Sequence, residues 1–318
     1  MILVCGEALI DFVPVVAGEE TAYAPRTGGS PYNVAIGLGR LAVPVGFFGR
    51  VSVDPFGRLL RDRLIDFGVD CSLLATGGEP TALALVHLAP GQEPNFVFYG
   101  ESAADSALTP DDVPTAATLA TRVHALHFGS ISLIREPGSA VYEWLMRRES
   151  RHRVLSLDPN VRPGLVRDRR SYSELLERLV ALADIVKVSR ADLAWLYPDR
   201  RPLEAAADWL SRGPSLVVMT RGEAGAIGMT PGASVDIPGI PVTVLDTVGA
   251  GDAFTAGLLG SLDLRGLLEA AALRALAPDD LRACLAFANR AASITCARSG
   301  AEPPTLAHVQ AAIAQEGG

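Results

Sequence analysis

The stretch VLDTVGAGDAF, residues 244–254, combines bare backbone with a single carboxylate. Gly249 and Gly251 flank Ala250, so the N–H groups of this turn can approach a ligand closely. An apolar run precedes the turn and an apolar helical pattern follows it, which predicts a strand, a tight turn and a helix start. The free N–H groups and the dipole at a helix start favour an anion. The pattern therefore predicts a binding hole for a phosphoryl group.

Asp252 follows this turn directly, at a place where a carboxylate would repel a phosphate. The residue makes chemical sense if it faces a hydroxyl that loses its proton while it attacks phosphorus. Phosphoryl transfer needs an aligned hydroxyl, a base, and donors around the transferred charge. We therefore interpret Asp252 as a general base and the backbone of Gly249, Ala250 and Gly251 as the anion hole. A structural turn with Asp252 as a helix-start residue is the alternative interpretation of so short a motif.

Other phosphate-binding classes do not fit this chain. Its only lysine, Lys187, lies in IVKVS, so the sequence contains no GxxxxGK[ST] loop. The early lysine and the HRD loop of protein kinases are absent from the sequence as well. The first strand pattern continues into CGEALIDFV rather than GxGxxG, which disfavours a dinucleotide-dependent oxidoreductase.

Composition narrows the partners and the compartment. The 318 residues carry a net charge of −8, which disfavours binding to nucleic acid or to an anionic membrane. The four cysteines are scattered without a CxxC pair, which is typical of reduced thiols in the cytoplasm. The apolar N-terminus lacks a basic segment and is interrupted by acidic residues, so we expect neither a signal peptide nor a membrane-spanning segment.

Strand and helix patterns alternate along most of the chain, which predicts an α/β fold with a mainly parallel sheet flanked by helices. ILVCGEALIDFVPV predicts one long opening strand, and SPYNVAIGLGRL predicts a helix with Ser30 as its N-cap. The segments 12–26 and 80–106 are β-like but have no crossover helix, so we expect them to form a small β lid. No linker separates them, and we expect one domain over residues 1–318 with this lid inserted in it.

Several strings in the same order resemble a known family. GGSPYNVAIGLGRLAVPVGFFGRVSVDPFGRLL and DTVGAGDAF resemble the two signature regions of the ribokinase-like (PfkB) carbohydrate kinases. GEALIDFVP, FGSISLIREP, DPNVRP and ADIVKVSRADL resemble the fructokinase branch in particular. The resemblance implies a Rossmann-like core, a β lid that closes over a sugar, and transfer of the γ-phosphate of ATP to a primary sugar hydroxyl. It also implies Mg²⁺ and K⁺ as cofactors, and it gives Asp252 the role of catalytic base.

The resemblance also implies a sugar site. Asp11 follows the first strand, where its carboxylate can accept two sugar hydroxyls, and the Asn33 amide can donate to one hydroxyl and accept from another. Arg162 in DPNVRP can reach the phosphates through its guanidinium fork. The full predicted set is Asp11, Gly28, Gly29, Asn33, Arg162 and Asp252.

A nucleotide site and two metal positions follow from the same resemblance. The predicted ATP-binding residues are Lys187, Ser189, Thr220, Gly222, Gly225 and Asn289. Asp246 and Thr247 match the place of a monovalent-cation site. The family often carries NxxE for the magnesium shell, whereas this chain has SRAD, so we expect Asp192 to reach Mg²⁺ through water.

The acceptor sugar is less well defined than the reaction. Many relatives in the family carry an arginine at the place of Gly100, where it binds acidic groups, so its absence favours a neutral ketohexose such as fructose. Ketodeoxygluconate, ribose or a nucleoside remain alternative acceptors. A different class also remains open, a catalytically silent regulator that binds sugar or nucleotide. Exposed strands in the lid lead us to expect a homodimer that pairs through it.

Overall fold

The computed structural model describes residues 1–17, 20–87 and 95–315. Its strands are β1 Ile2–Cys5, β2 Leu9–Ala17, β3 Glu20–Gly28, β4 Val45–Phe48, β5 Arg50–Ser52, β6 Ala75–Gly77, β7 Leu83–His87, β8 Asn95–Tyr99, β9 Ala125–Gly129, β10 Val154–Asp158, β11 Ile185–Ser189, β12 Leu216–Thr220, β13 Ala226–Thr230 and β14 Ala233–Ile237. Its α-helices are α1 Ser30–Arg40, α2 Pro55–Asp66, α3 Ala116–Ala120, α4 Gly138–Glu149, α5 Arg169–Val180, α6 Arg190–Leu196, α7 Pro202–Leu210, α8 Ala250–Leu264, α9 Ala270–Arg274, α10 Pro278–Cys296 and α11 Leu306–Ala314.

An eight-stranded sheet is the centre of the fold, with the spatial order β14-β13-β12-β11-β10-β9-β1-β4. The strands from β4 to β12 in this order pair in parallel, and the hairpin of β13 and β14 closes the other edge in antiparallel pairing. The predicted α/β class with a mainly parallel sheet is therefore confirmed. Parallel strands end together, so the carboxyl ends of β1, β9, β10 and β11 open at one edge, where ligands bind in such sheets.

Helices cover both faces of this sheet, and alternate side chains of each strand enter two separate cores. In β1, Ile2 and Val4 pack into the core beneath α1, α8 and α10, whereas Leu3 and Cys5 pack into the core beneath α4, α5 and α7. Such burial on both sides explains why the strands are apolar throughout rather than alternating. Within the described residues, no helix has both the length and the apolar character needed to span a bilayer.

A second sheet of four strands stands apart from the first, in the order β3-β2-β7-β8. Its strands overlap the predicted β-like segments 12–26 and 80–106, but they begin earlier, at Leu9, and end at Gly28 and Tyr99. The smaller β-sheet predicted beside the main sheet is thus confirmed. Residues 18–19 and 88–94 of these segments lie outside the described residues.

Two predictions near the N-terminus were wrong. The opening run is two strands in two different sheets, because the chain leaves the parallel sheet at Gly6, whose φ is +156°. The N-cap of α1 is Gly29, and Ser30 is already its first helical residue. The Ser30 hydroxyl is therefore not used to cap the helix and is available for the site described below.

The predicted strand before the glycine turn is also absent. Within the described residues, no strand follows β14, and residues 238–249 run irregularly toward α8. Val242, Val244 and Leu245 are 38%, 55% and 69% exposed. An apolar run that packs against a sheet and one that lines a ligand cavity have the same sequence pattern, which explains the error.

Candidate active site

A cavity of about 550 Å³ opens at the carboxyl ends of the central strands, between the main sheet and the four-stranded sheet. It brings together five residues predicted to form the sugar site, namely Asp11, Gly29, Asn33, Arg162 and Asp252. Gly28 lies beside it, because a Cβ added there would collide with the carboxylate of Asp11. Residues from β2, α1, the segment after β10 and α8 thus converge on one space, although they are far apart in sequence.

Asp252 lies in the first turn of α8, and three side chains hold its carboxylate. Ser30 donates its hydroxyl to Oδ1 at 2.7 Å, and Asn33 donates its amide to Oδ2 at 2.8 Å. Asn160 donates a longer bond of 3.4 Å to Oδ1. Burial raises the pKa of Asp252, and the hydrogen bonds from Ser30 and Asn33 oppose that rise. A fixed carboxylate with a raised pKa is suited to accept a proton from a substrate hydroxyl.

The glycine turn has the geometry of an anion hole. Gly249 is the N-cap of α8 with φ +77°, a left-handed conformation that favours glycine. A Cβ there would lie 2.6 Å from that of Ala301, so space as well as conformation requires glycine. Helix α8 begins at Ala250, so its first N–H groups have no partners inside the helix, although that of Ala250 donates to the carbonyl of Thr247 at 3.2 Å. The backbone of Gly249, Ala250 and Gly251 thus lies at a helix start, as an anion hole requires.

Asp11 and Arg162 are two of the charged residues that line this cavity. Burial raises the pKa of Asp11 to about 7; Arg162 opposes this rise, and the nearby Asp252 carboxylate adds to it. Arg162 donates to the backbone carbonyl of Asn160 at 2.9 Å, which fixes the guanidinium at the cavity wall. A carboxylate and a guanidinium on the same cavity wall can bind the hydroxyls of a polyol and an anionic group beside them.

A second cavity of about 950 Å³ adjoins the first on the other side of the glycine turn. Four predicted nucleotide-binding residues line it, and they are Thr220, Gly222, Gly225 and Asn289. Val242, Val244 and Phe254 give it an apolar wall that suits a flat heterocycle. The sequence did not identify these apolar residues, because an apolar run that lines a cavity has the same pattern as a strand.

Three residues predicted to bind the nucleotide or Mg²⁺ lie away from both cavities. Lys187 is 4% exposed and donates to Asp158 at 2.8 Å. Ser189 is the N-cap of α6, and Asp192 accepts backbone N–H bonds from Ser189 and Val161. Lys187, Ser189 and Asp192 are all described, and they line neither of the two cavities. In the structure, Ser189 and Asp192 hold the backbone around the site.

Asp246 and Thr247 are at the turn before α8. Asp246 accepts backbone N–H bonds from Val248 and Gly300, each at 2.9 Å. Thr247 lines both cavities. Among the residues that the structure describes, no cluster of three or more histidine, cysteine or acidic side chains could hold a metal ion.

The sequence analysis missed several residues around Asp252 and Asp11. Ser30 and Asn160 bind the carboxylate of Asp252, and Asn160 also donates to the Ser30 hydroxyl at 2.7 Å. Glu7 is buried at the cavity wall and accepts the backbone N–H groups of Ser30 and Ser132. Asn160 follows directly after the strand end in DPNVRP, and this position was the available signal.

Comparisons with known proteins agree with this geometry. The pattern of pfkB family carbohydrate kinases matches residues 1–307. A fructokinase of Rhizobium leguminosarum bv. trifolii is 44% identical over 89% of this chain and 86% of its own length. The structure of the Xylella fastidiosa fructokinase with bound ATP has a TM-score of 0.91 and 28% identity, and the alignment covers 100% of this chain and 99% of that one.

A Vibrio cholerae fructokinase variant, solved with fructose, ADP and a potassium ion, has a TM-score of 0.84 and 30% identity. The match covers 98% of this chain and 97% of that chain. These similarities extend over nearly the whole sequence and confirm the ribokinase-like fold and a phosphotransferase with an alcohol acceptor. The chain belongs to the pfkB family of carbohydrate kinases.

Proposed function

We propose that this protein is an ATP-dependent fructokinase whose sugar and nucleotide occupy the two adjoining cavities. One observation carries the proposal. Within the described residues, Thr247 and Gly251 line both cavities, whereas Asp252 lines the smaller cavity but not the larger one. A phosphoryl group at the turn would therefore have a base on its acceptor side and the nucleotide cavity on its donor side. The similarity of this chain to fructokinases favours fructose as its acceptor.

The reaction follows from this placement. The primary hydroxyl of the sugar faces Asp252 and attacks the γ-phosphorus, so a new O–P bond forms while the bond to the bridging oxygen of ADP breaks. Asp252 takes the proton from the attacking hydroxyl. The N–H groups of Gly249, Ala250 and Gly251 stabilise the charge on the transferred group. Asp11, Asn33 and Arg162 orient the sugar for the attack.

Mg²⁺ accompanies ATP in such reactions and neutralises the charge of its phosphates. Both oxygens of Asp192 already accept backbone N–H bonds, so we propose that Asp192 reaches the ion only through water. For K⁺ we propose Asp246 and Thr247, because an oxygen-bearing pair beside the glycine turn suits a hard cation and a related fructokinase was solved with potassium. We propose that Lys187 and Ser189, which line neither cavity, act on the nucleotide indirectly, through the backbone and side chains beneath the glycine turn.

We propose that the four-stranded sheet is a lid inserted in a single domain. Leu9, Asp11 and Phe98 of this sheet line the sugar cavity, so movement of the sheet would open or cover the sugar. On the same sheet, Tyr23, Val97 and Tyr99 are 42%, 44% and 57% exposed. We infer that a second copy of the chain covers them in a homodimer. Light scattering that gives a monomeric mass at micromolar concentration would contradict the homodimer.

The four cysteines, all in the described part of the chain, are free thiols, which supports our proposal that the protein acts in the reducing cytoplasm. Its partners are then small molecules, the sugar and ATP, rather than nucleic acid or membrane.

The test is ADP release by the purified protein with Mg²⁺, K⁺ and ATP, in parallel with fructose, ketodeoxygluconate, ribose, glucose and a nucleoside. Saturable release with fructose at the highest kcat/KM supports the proposal. Preferred release with another acceptor would keep the chemistry and refute fructose. Binding of ATP and sugar without any ADP release would favour the silent regulator.

A further inference from the structure

We propose that Lys187 is a positioning residue for phosphoryl transfer, whose buried ammonium group supports the glycine turn from below and offsets the carboxylates around it. This inference rests on the proposed function, because it assigns a role within the same site. It differs from the direct nucleotide contact that the sequence predicted for this lysine.

The contacts form a continuous path from Lys187 to the turn. Its Nζ atom donates to Oδ2 of Asp158 at 2.8 Å. The hydroxyl of Thr255 is 3.1 Å from the same Oδ2 and 3.1 Å from the carbonyl oxygen of Gly251. The Nζ atom also lies 3.3 Å from the point where a Cβ of Gly251 would be. The lysine therefore touches the underside of the first turn of α8, and its partner Asp158 also lies within hydrogen-bond distance of Thr255 in the same helix.

The charges around Lys187 explain why a cation is needed there. Burial disfavours the ammonium form, but Asp158, Asp192 and Asp252 favour it, and its pKa is raised on balance. One buried cation thus faces three carboxylates. The phosphates of ATP, bound at the proposed site, would bring further negative charge to the other side of the turn. Without Lys187, the negative charge of the phosphates would be repelled by these carboxylates, and no buried ammonium group would reduce that repulsion.

Stability alone gives a poor account of this ion pair. The side chains of Lys187 and Asp158 are 5% and 1% exposed, so both charges have lost most of their hydration. Apolar residues of similar volume commonly stabilise a protein as well as a buried ion pair does. In addition, Oδ1 of Asp158 is buried without a hydrogen bond from any described residue. An electrostatic role at the turn explains why the charge is retained.

The test is the double variant Lys187→Met and Asp158→Asn, which removes both charges of the ion pair together, so that neither partner is left as a buried, unpaired charge. We expect a melting temperature close to that of the parent, a kcat lower by about 10- to 100-fold, and a sugar KM changed less than about threefold, since the effect falls on the transferred charge. The matched control is Glu149→Gln with Arg153→Met, which removes another buried ion pair far from the turn. This control is expected to keep the parent kcat.

The pH profile of kcat separates an electrostatic role from a structural one. Asp252 is faced by the cations Lys187 and Arg162, and both lower its pKa, while Asp11 is the neighbouring carboxylate. Loss of Lys187 is therefore expected to move the acidic limb of the profile to higher pH. A merely structural defect would lower kcat evenly across the profile.

Thr255→Val provides a second variant that keeps every charge and nearly the same shape. It removes the hydroxyl whose single proton can be donated to Asp158 or to the Gly251 carbonyl, and we expect a smaller loss of kcat, about threefold or more, at unchanged melting temperature. The inference is overturned if Thr255→Val and the folded double variant both keep kcat within twofold of the parent. Because the parent is assayed alongside with its preferred acceptor, that result would leave the proposed function intact, whereas an inactive parent would refute the proposed function itself.

Discussion

The hydroxyl of Ser30 and the carboxylate of Asp252 are joined by a 2.7 Å hydrogen bond across 222 positions of the chain. The bond links the first turn of α1 to the first turn of α8, and the two helices also pack against each other. With Asn33 on the other oxygen, both carboxylate oxygens have a donor before any substrate arrives. A sugar hydroxyl must therefore share Asp252 with these donors, which hold the base in one orientation.

Replacement of the base tests its role directly. Asp252→Asn keeps the shape and both neighbouring donors, so we expect an intact fold and a kcat lower by about 10²- to 10⁴-fold, the usual contribution of a general base. Steady-state kinetics together with circular dichroism check this. Asp11→Asn is the comparison variant, because it is expected to raise the sugar KM more than it lowers kcat. A kcat within threefold of the parent in Asp252→Asn would refute the assignment.

Ser30→Ala tests the donor to the base. The hydrogen bond from Ser30 lowers the pKa of Asp252, so its loss is expected to raise that pKa and reduce the ionised fraction at acidic pH. We therefore expect kcat to fall more at pH 6 than at pH 8.5. Ser173→Ala, which removes a serine of α5 that bonds only its own helix in the described structure, serves as the control. Equal losses at both pH values would contradict the prediction.

Asp11 gives a pH dependence to sugar binding. Its pKa is about 7 in the folded protein, so the carboxylate needed to accept sugar hydroxyls forms only as pH rises through 7. We expect the Kd for the sugar to decrease as pH rises from 5 to 8, as measured by calorimetry in the Asp252→Asn background, where the base does not titrate and the loss of its charge lowers the pKa of Asp11 somewhat. Asp11→Asn is expected to bind weakly at every pH, and a pH-dependent Kd in that variant would refute the assignment.

The same group has an opposite effect on folding. An unfolded aspartate titrates near pH 4, about 3 units below the folded Asp11. Between these values the folded state binds more protons, so the contribution of Asp11 to the free energy of unfolding falls as pH rises from about 4 to 7 and is constant above. Urea unfolding of the parent and of Asp11→Asn across this range measures the difference between their free energies of unfolding. We expect this difference to become smaller toward pH 4.

The irregular segment before the turn tests the nucleotide cavity. Val244 lines it, whereas its neighbour Leu245, although more exposed, is outside it among the residues described. Val244→Gln is expected to raise the KM for ATP by about fivefold, because an apolar contact worth about 1 kcal/mol is lost, and to leave the sugar KM unchanged. Leu245→Gln is the matched control. Equal effects of the two changes on the KM for ATP would place the nucleotide elsewhere.

Gly29 tests the backbone at the entry to α1. Its φ is +109°, and a Cβ would lie 2.7 Å from the carbonyl oxygen of Glu7. Gly29→Ala is expected to lower the free energy of unfolding by about 2–4 kcal/mol through strain and clash together. At Gly68, with φ +76°, no described atom lies within 4 Å of the added Cβ, so Gly68→Ala isolates the strain at about 1 kcal/mol. Urea unfolding measures both, and equal losses would contradict the expected clash.

The sequence predicted the parallel sheet and the separate small sheet from local patterns, and it predicted five sugar-site residues that line the smaller cavity from motifs. Asn33 and Asp252 lie in the first turns of helices and Asp11 lies in β2, where the chain has just left β1, and the topology of a parallel sheet brings such positions to one edge. Thr220, at the end of β12, and Asn289, within α10, were predicted from the family resemblance, and both line the larger cavity.

The remaining features depend on long-range packing that no local pattern reports. The partner of Ser30 is 222 positions away, so its hydroxyl was assigned to a helix cap. Val244 is apolar because it lines a cavity, and periodicity cannot distinguish that from a strand. Lys187 occurs at a strand end like a ligand-binding residue, yet its side chain points beneath the turn, a direction set by pairing with Asp158.

The burial of Lys187 has a practical consequence for handling the protein. Lys187 is the only lysine of the sequence, and it is 4% exposed. Reagents directed at lysine side chains would therefore label the folded protein slowly, and the rate of that labelling would report how often the first turn of α8 and its supports open to solvent.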